Sequence, residues 1–377
     1  MQPTENQEKH FKFIDLFSGL GGFHMGLSRL GHHCVFASEL DANLRELYEV
    51  NFGMRPAGDI RTVKESEVPE HDLLCAGFPC QPFSRAGKKK GAECPESGKL
   101  IDDVLRIVRE KNPKYIMLEN VPDILTIQDG KFWDYICKNI IEAGYEIDYK
   151  IYTPNDFGIP QKRKRIFVVA SKIGLEHFSW PVPEIKKSGV ESIIINSSQD
   201  KRPLELEKEK VLDLWNDFIG KVKTFTSLPI LSPEFGATYP YNRRIEKIEE
   251  AQHYNGKFGE SMSHCRSWSD VIVCLPRYAQ EQYGKTNPRV SEAIEFSREL
   301  YLNHQEFLDS WKINLIDLPH SWQKLEWQGD RMQPDIWKHL IQFRASGIRI
   351  IRPTTAPSLV AMSTTQTPII GFLKRYM

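Results

Sequence analysis

The stretch G-F-P-C-Q-P-F-S (77–84) holds Cys80 between two prolines, at the end of the apolar run DLLCAGF. Proline fixes φ and restricts the residue before it, so the chain around this thiol is a constrained loop. A free thiol has a pKa of roughly 8.5 and is only a few per cent thiolate near neutrality. Nucleophilic use of Cys80 therefore needs a nearby positive charge, or an acid that protonates the substrate as sulfur attacks. E-N-V (119–121) puts Glu119 at the end of a second apolar run, YIML, where a carboxylate can hydrogen-bond a nucleobase and share a proton with it. Taken alone, Glu119 reads equally well as a cap on the next helix. In Q-K-R-K-R (161–165) Arg163 and Arg165 alternate, which puts both on one face of a strand; a solvated turn is the other reading. Lys88, Lys89 and Lys90 are either phosphate contacts or an exposed charge run. Cys34, Cys75 and Cys137 read as small buried hydrophobes.

A second constellation lies upstream. D-L-F-S-G-L-G-G (15–22) follows an apolar run and opens a helical pattern. Glycines there permit a tight turn and close approach of backbone N–H groups to a ligand, although many such turns are only turns. Glu39 stands at the end of the next run, where an acid can accept a ribose hydroxyl. Asp59 and Ile60 end a third short strand, placed to meet an adenine edge. His24 stands where G-x-G-x-x-G has its third glycine, so an adenosine-containing cofactor without a pyrophosphate fits better than NAD.

The elements that must position these residues alternate. Strands are expected at 11–17, 34–40, 58–60, 72–78, 115–118 and 165–171. Helices are expected at 23–30, 42–52 and 99–110, the last from apolar residues at 100, 101, 104, 105, 107 and 108. This rhythm predicts an α/β fold with a doubly wound, mostly parallel sheet, whose ligands bind beyond the carboxyl ends of the strands. After Trp180 the rhythm stops. Residues 182–355 read as a second, irregular domain containing helices such as 203–221 and 288–312. Residues 356–377 read as a segment returning toward the first domain, 1–181.

In the order F-S-G-L-G-G, Glu39, Asp59-Ile60, P-C-Q, E-N-V and Q-x-R-x-R, across residues 11–171, the sequence resembles the cytosine-C5 DNA methyltransferases of restriction–modification systems. The resemblance implies a Rossmann-like fold that binds S-adenosyl-L-methionine through Phe17, Gly19, Gly21, Gly22, Glu39, Asp59, Ile60 and Pro79. It implies that Cys80 adds to C6 of a cytosine flipped out of double-stranded DNA. Glu119 would then hold N3 and the exocyclic amine, with Arg163 and Arg165 steadying the base and the catalytic loop. No metal is required, in keeping with an absence of clustered ligands in the sequence. Residues 182–355 correspond to the family's target-recognition region, with Arg243, Arg244, Arg277, Arg289, Arg344 and Arg349 available to read bases. A-P-S-L-V-A (356–361) is similar to the segment near the end of that region, with Ser358-Leu359 where Thr-Leu is usual.

G-F-L-K-R-Y-M (371–377) looks like the approach to a family motif that normally continues further. The open explanations are a second polypeptide supplying the remainder, an interrupted gene, or a fragment. On the first two, the chain alone is expected to bind cofactor poorly and methylate little DNA. Two alternatives keep the motifs but change the function: a tRNA cytosine-C5 methyltransferase, or a non-catalytic DNA-binding subunit. An NAD-linked dehydrogenase leaves the cysteine loop unexplained.

Bulk composition sets limits on all of this. The 377 residues, 40% hydrophobic, suffice for two unequal domains with real cores. Lys+Arg and Asp+Glu are 50 each, so any DNA-binding surface must concentrate positive charge locally. Seven cysteines without a C-x-x-C pair argue against a disulfide framework or a zinc ribbon and for a reducing compartment. The polar start MQPTENQEKH and the lack of a long apolar run give no leader or membrane span. With the resemblance, the expected location is the bacterial cytoplasm, associated with the nucleoid through DNA.

Overall fold

A computed structural model describes residues 10–79, 100–183, 189–194, 202–223, 226–281, 287–358 and 367–377. Cys80, the Lys88–Lys90 run and Leu359 lie outside the described residues. The chain divides into two compact units. One comprises 1–159 with 163–186, and the other 160–162 with 187–377.

The first unit runs β1 (Lys12–Leu16), α1 (Gly22–Ser28), β2 (His33–Ser38), α2 (Ala42–Phe52), β3 (Leu73–Ala76), α3 (Leu100–Lys111), β4 (Tyr115–Asn120), α4 (Lys131–Glu142) and β5 (Glu146–Tyr152). After β6 (Gln161–Lys162), which belongs to the second unit, β7 (Arg165–Ser171) completes its sheet. The strand order is β2-β1-β3-β4-β7-β5. The first four strands pair in parallel, whereas β7 is antiparallel to both β4 and β5.

Alternation along the strands divides the sheet into two faces. Ile14, Leu16, Leu74, Ala76, Ile116, Leu118, Ile166 and Val168 join the apolar side of α3 in one core. Ile101, Val104, Leu105, Ile107 and Val108 of α3 are all at most 2% exposed, as their helical spacing requires. The opposite face carries Phe13, Leu73 and Cys75, packed with Phe23 and Leu27 of α1 and with Met117. The same parity puts Asp15 and Glu119 on this second face. α2 begins where Asp41 accepts the backbone N–H groups of Asn43 and Leu44, at 2.8 and 3.1 Å.

The expected strand at 58–60 does not form. Ala57 makes a single bridge to Ser38, and Ile60–Thr62 is a 3-10 turn capped by Asp59, whose side chain accepts from Arg61 N. An Asp that can bond its own downstream backbone favours a cap over a ladder. α4 and β5 were not anticipated. Charged residues alternate with apolar ones along β5 (EIDYKIY), so no continuous apolar run marks it, and β5 lies at the edge of its sheet.

The second unit is organised around α5 (Leu206–Val222), β8 (Ile230–Leu231), α6 (Ile248–Ala251), α7 (Trp268–Cys274), α8 (Arg277–Glu281), α9 (Pro288–Asn303), α10 (Gln305–Trp311), β9 (Lys324–Gln328), β10 (Leu340–Arg344), β11 (Gly347–Ile351), β12 (Ala356–Pro357), β13 (Ile369–Ile370) and β14 (Arg375–Tyr376). Its six-stranded sheet has the order β14-β13-β10-β11-β9-β8. The pattern read as one helix over 288–312 is two, broken at His304. Segment 356–377, expected to return toward the first domain, contributes β12, β13 and β14 to the second unit. Ile369, Ile370 and Tyr376 are buried in its cores.

The expectation that no ligands cluster also fails here. His264, Cys265 and Cys274 converge, because α7 carries the chain back over the turn that precedes it. Elsewhere Cys75 is buried, while Cys34 and Cys137 are half-buried. No helix among the described residues is long and apolar enough to cross a membrane.

The core of the second unit centres on Trp215, which is fully buried, lies 5.0 Å between ring centroids from Trp311, and donates Nε1–H to Trp322 O at 2.9 Å. Trp215→Ala leaves both a cavity and an unpaired carbonyl. It is expected to lower stability by about 3–5 kcal/mol, measured as a fall in the urea midpoint.

Candidate active site

Strand register builds the site. β4 and β7 pair with Glu119 opposite Phe167, so Arg165 stands on the same face one diagonal step away. Arg165 Nε lies 2.5 Å from Glu119 Oε1. Arg163 is half-buried on the same face, its backbone N–H donating to Thr153 Oγ1 at 3.1 Å, while Lys162 and Lys164 are exposed. Burial raises the Glu119 carboxyl above the ordinary range, against the pull of both guanidinium groups. Burial and the neighbouring Arg165 lower the pKa of Arg163. The result is an acid that keeps its proton more readily than usual and sits beside two cations.

Glu119, Arg163 and Arg165 line a cleft of about 710 Å³ together with Gly22, Phe23, Met117, Phe167 and Trp180. Its far wall is anchored by Tyr152, which donates to Pro181 O at 2.6 Å, and by Trp180, which donates to Asp148 Oδ2 at 2.7 Å. The stem leading to Cys80 adjoins Glu119. A Cβ added at Gly77 would stand 3.6 Å from Glu119 Oε2, and Asn120 Nδ2 donates to Phe78 O at 3.0 Å. Pro79 is exposed at the end of that stem.

The glycine turn is held by the acid expected beside it. Gly19 N–H donates to Glu39 Oε2 at 2.8 Å and Asp41 N–H to Glu39 Oε1 at 2.9 Å. Phe17 (φ 56°), Gly19 (φ 53°) and Gly21 (φ 81°) are left-handed, so the chain reverses within a few residues. Gly21 is obligatory on a second count, because a Cβ there would lie 2.2 Å from the Phe52 ring. Gly22 opens α1. Glu39 N–H donates to Ala57 O at 2.9 Å, which ties the turn to the Asp59 segment.

Asp59 is engaged by Arg61, whose Nη2 lies 2.6 Å from Oδ2, and that bond pulls its pKa down. Ile60 is 2% exposed with its side chain in the core, so a ligand could meet only its backbone. Of the six arginines expected to read bases, Arg344 and Arg349 both pair with Glu326, and Arg243 pairs with Glu250 at 2.5 Å. Arg289 is exposed and lines a groove in the second unit with Lys324, Arg344 and Arg349.

Residues 11–310 match the protein-family model described as C-5 cytosine-specific DNA methylase. The chain belongs to that family. Among curated relatives of the chain, M.HhaI of Haemophilus parahaemolyticus, a Type II methyltransferase, is 40% identical over 197 residues, 52% of this chain and 60% of that one. M.MspI of Moraxella sp., also a Type II methyltransferase, is 41% identical over 184 residues, 49% of this chain and 44% of that one. M.BsuFI of Bacillus subtilis, another, is 35% identical over 261 residues, 67% of this chain and 61% of that one. The matched part of the chain thus spans between 44% and 61% of these relatives' lengths.

Three residues of the site escaped the sequence reading. Asn120, beside Glu119 in E-N-V, fastens the Cys80 stem. Asp15 is 1% exposed and Ser18 7% exposed, and Asp15 Oδ2 and Ser18 Oγ have no hydrogen-bond partner among the described residues. An acid inside the apolar run FKFIDLF was the available sign for Asp15, since buried carboxylates are rare without a partner.

Burial, reinforced by Glu39, raises the Asp15 pKa from 3.8 to about 8, although a backbone N–H bond from His24 opposes the rise. Between those values the folded chain keeps a proton that the unfolded chain has released, so this residue's contribution to stability falls as pH rises and levels off above about pH 8. Asp15→Asn removes that slope. Its Tm relative to the parent chain is expected to climb from about pH 4 to about pH 8 and then plateau, as read by thermal melts across that range.

Proposed function

We propose that this chain is a DNA (cytosine-5-)-methyltransferase, which methylates C5 of a cytosine flipped out of double-stranded DNA. The observation that carries the reading is Glu119, a largely buried acid beside Arg165, next to the stem of the Cys80 loop. The cofactor is S-adenosylmethionine, held by the turn at Phe17, Gly19, Gly21 and Gly22, by Glu39, by Asp59 and Ile60, and by Pro79. The site fits such a group: Asp15 Oδ2 and Ser18 Oγ are orphaned beside the turn, and each Glu39 oxygen keeps a lone pair after accepting one amide.

When bound, S-adenosylmethionine supplies the electrophilic methyl group that C5 attacks. Cys80 thiolate forms a bond to C6, while Glu119 donates its proton to N3, so the ring's electron pair collects at C5 rather than on a bare anion. Arg163 and Arg165 steady the carboxylate that Glu119 becomes. After methylation, solvent water takes the C5 proton, the C5–H electron pair forms the C5=C6 bond, the C6–S pair leaves with Cys80 as thiolate, and N3 gives its proton back to Glu119. Extruding the base costs a few kcal/mol of pairing and stacking, which contacts to DNA must offset. The groove lined by the exposed Arg289 and by Lys324 supports a DNA-reading role for the second unit, because cations that face a groove can meet phosphates and base edges. The relatives' Type II methyltransferase names support protection of host DNA in a bacterial cytoplasm.

Duplex DNA carrying 5-fluorocytosine is expected to form a denaturation-resistant adduct with the chain in the presence of S-adenosylmethionine, and Cys80→Ala to abolish it. An adduct that survives Cys80→Ala, or labelled methyl entering tRNA in preference to duplex DNA, overturns the reading. Glu119→Gln keeps the shape but removes the acid, and is expected to slow single-turnover methyl transfer by about 10²–10⁴-fold without weakening cofactor binding.

A further inference from the structure

In the second unit, one short helix closes three side chains into a cluster. His264 and Cys265 lie in the turn before α7, and Cys274 is the last residue of α7. Cys265 Sγ is 3.9 Å from Cys274 Sγ, Cys274 Sγ is 3.8 Å from His264 Nε2, and all three atoms lie within 4.8 Å of one another. Zinc bound to sulfur at about 2.3 Å and to nitrogen at about 2.0–2.1 Å in a tetrahedron spaces its ligands about 3.6–3.8 Å apart. The two contacts through Cys274 already approach that spacing, and the third needs only a modest swing of the exposed His264 ring.

The imidazole supplies an independent indication. His264 Nδ1 is 2.9 Å from Ser261 O, so Nδ1 carries the proton and donates it, and the Nε2 lone pair faces the sulfurs. A carbonyl that fixes the tautomer in this way is the usual support of a metal-ligating histidine. The turn carrying the ligands is also pinned without any ion. Asp270 Oδ2 accepts from Arg266 N at 2.8 Å and Ser267 N at 2.9 Å, and Ser267 caps α7.

The surroundings show what a metal would do here. Both cysteines are buried in a small satellite core with Ala251, Met262 and Val271, built from turns and from helices of four, seven and five residues. Elements this short bury little apolar surface, and a metal is one of the usual staples for such a segment. We propose that His264, Cys265 and Cys274 bind a zinc ion, with a water completing the tetrahedron on the solvent side of His264. The ion displaces one proton from each thiol to solvent and clamps the turn at 261–267 to the end of α7. The site is separate from the chemistry assigned to the first unit, and its test does not depend on methyl transfer.

The full chain, stripped with a chelator in reducing buffer and titrated with Co²⁺, is expected to bind about one equivalent. The spectrum should carry thiolate-to-cobalt charge-transfer absorption and the d–d bands of tetrahedral cobalt, both erased by added Zn²⁺. Cys274→Ser and Cys265→Ser should each diminish the charge-transfer band, the double variant should lose it, and Cys137→Ser should keep it. His264→Ala should weaken cobalt binding by at least about 10-fold. If the cysteine variants do not fold, the titration of the unaltered chain still decides. Absence of the band on folded protein, its survival in the double variant, or a Cys265–Cys274 disulfide in chain isolated under reducing conditions with zinc present overturns the proposal.

Discussion

The contact between Glu119 and Arg165 is the constraint around which the first unit is arranged. A carboxylate that is largely buried at the carboxyl end of an interior strand is costly unless a cation and a hydrogen bond meet it. Arg165 provides both, and does so only because β7 runs antiparallel to β4 and brings its first residue back to the end where Glu119 sits. The same reversal brings Arg163 into the cleft. A parallel β7 would have put both guanidinium groups at the opposite end of the sheet. Burial and the two cations act on Glu119 in opposite directions, with burial the stronger, which leaves an acid able to give up a proton without becoming an isolated charge.

The glycine turn follows a related logic with the signs exchanged. Glu39 is satisfied by two backbone N–H groups rather than by a cation, and in return it fixes the conformation of the turn. Asp15, just beneath, is left without either kind of partner for one oxygen and responds by holding its proton. The three acids on this unit thus differ in what meets them: a guanidinium group at Glu119, backbone N–H groups at Glu39, and burial with one unpartnered oxygen at Asp15. In the second unit Glu234 is fully buried and accepts from Tyr239, Tyr278 and Arg298, a network that ties β8's flank to α8 and α9. Arg344 and Arg349 are compensated by Glu326. Much of the second unit's basic charge is therefore spoken for internally, and the near-neutral composition leaves few cations for a ligand.

Legibility differed between elements for identifiable reasons. The strands at 12–16, 33–38, 73–76, 115–120 and 165–171 were readable because each is a continuous apolar run closed by turn residues, as a sheet covered on both faces demands. β5 was not, because its alternating charges and place at the edge of the sheet give it the look of a loop. The 58–60 stretch had the composition of a strand end, but Asp59 could satisfy the backbone locally and did so. The helix pattern over 288–312 was sound in period yet blind to the break at His304, where no proline or glycine marks the change.

By itself, the order of residues was enough to nominate Cys80, Glu119, Arg163, Arg165 and the glycine turn as chemistry-bearing groups. Glycines after a strand, a cysteine between prolines and an acid closing a buried run are local patterns whose meaning survives without coordinates. Tertiary structure alone decided which of them meet. The Glu119–Arg165 pair depends on an antiparallel register across 46 residues, the orphaned oxygens of Asp15 and Ser18 depend on burial beneath groups that offer them no hydrogen bond, and the His264–Cys265–Cys274 cluster depends on the length of one short helix. Distances of a few ångströms between residues far apart in the chain are set by packing and register, and these leave no periodic trace in the order of amino acids.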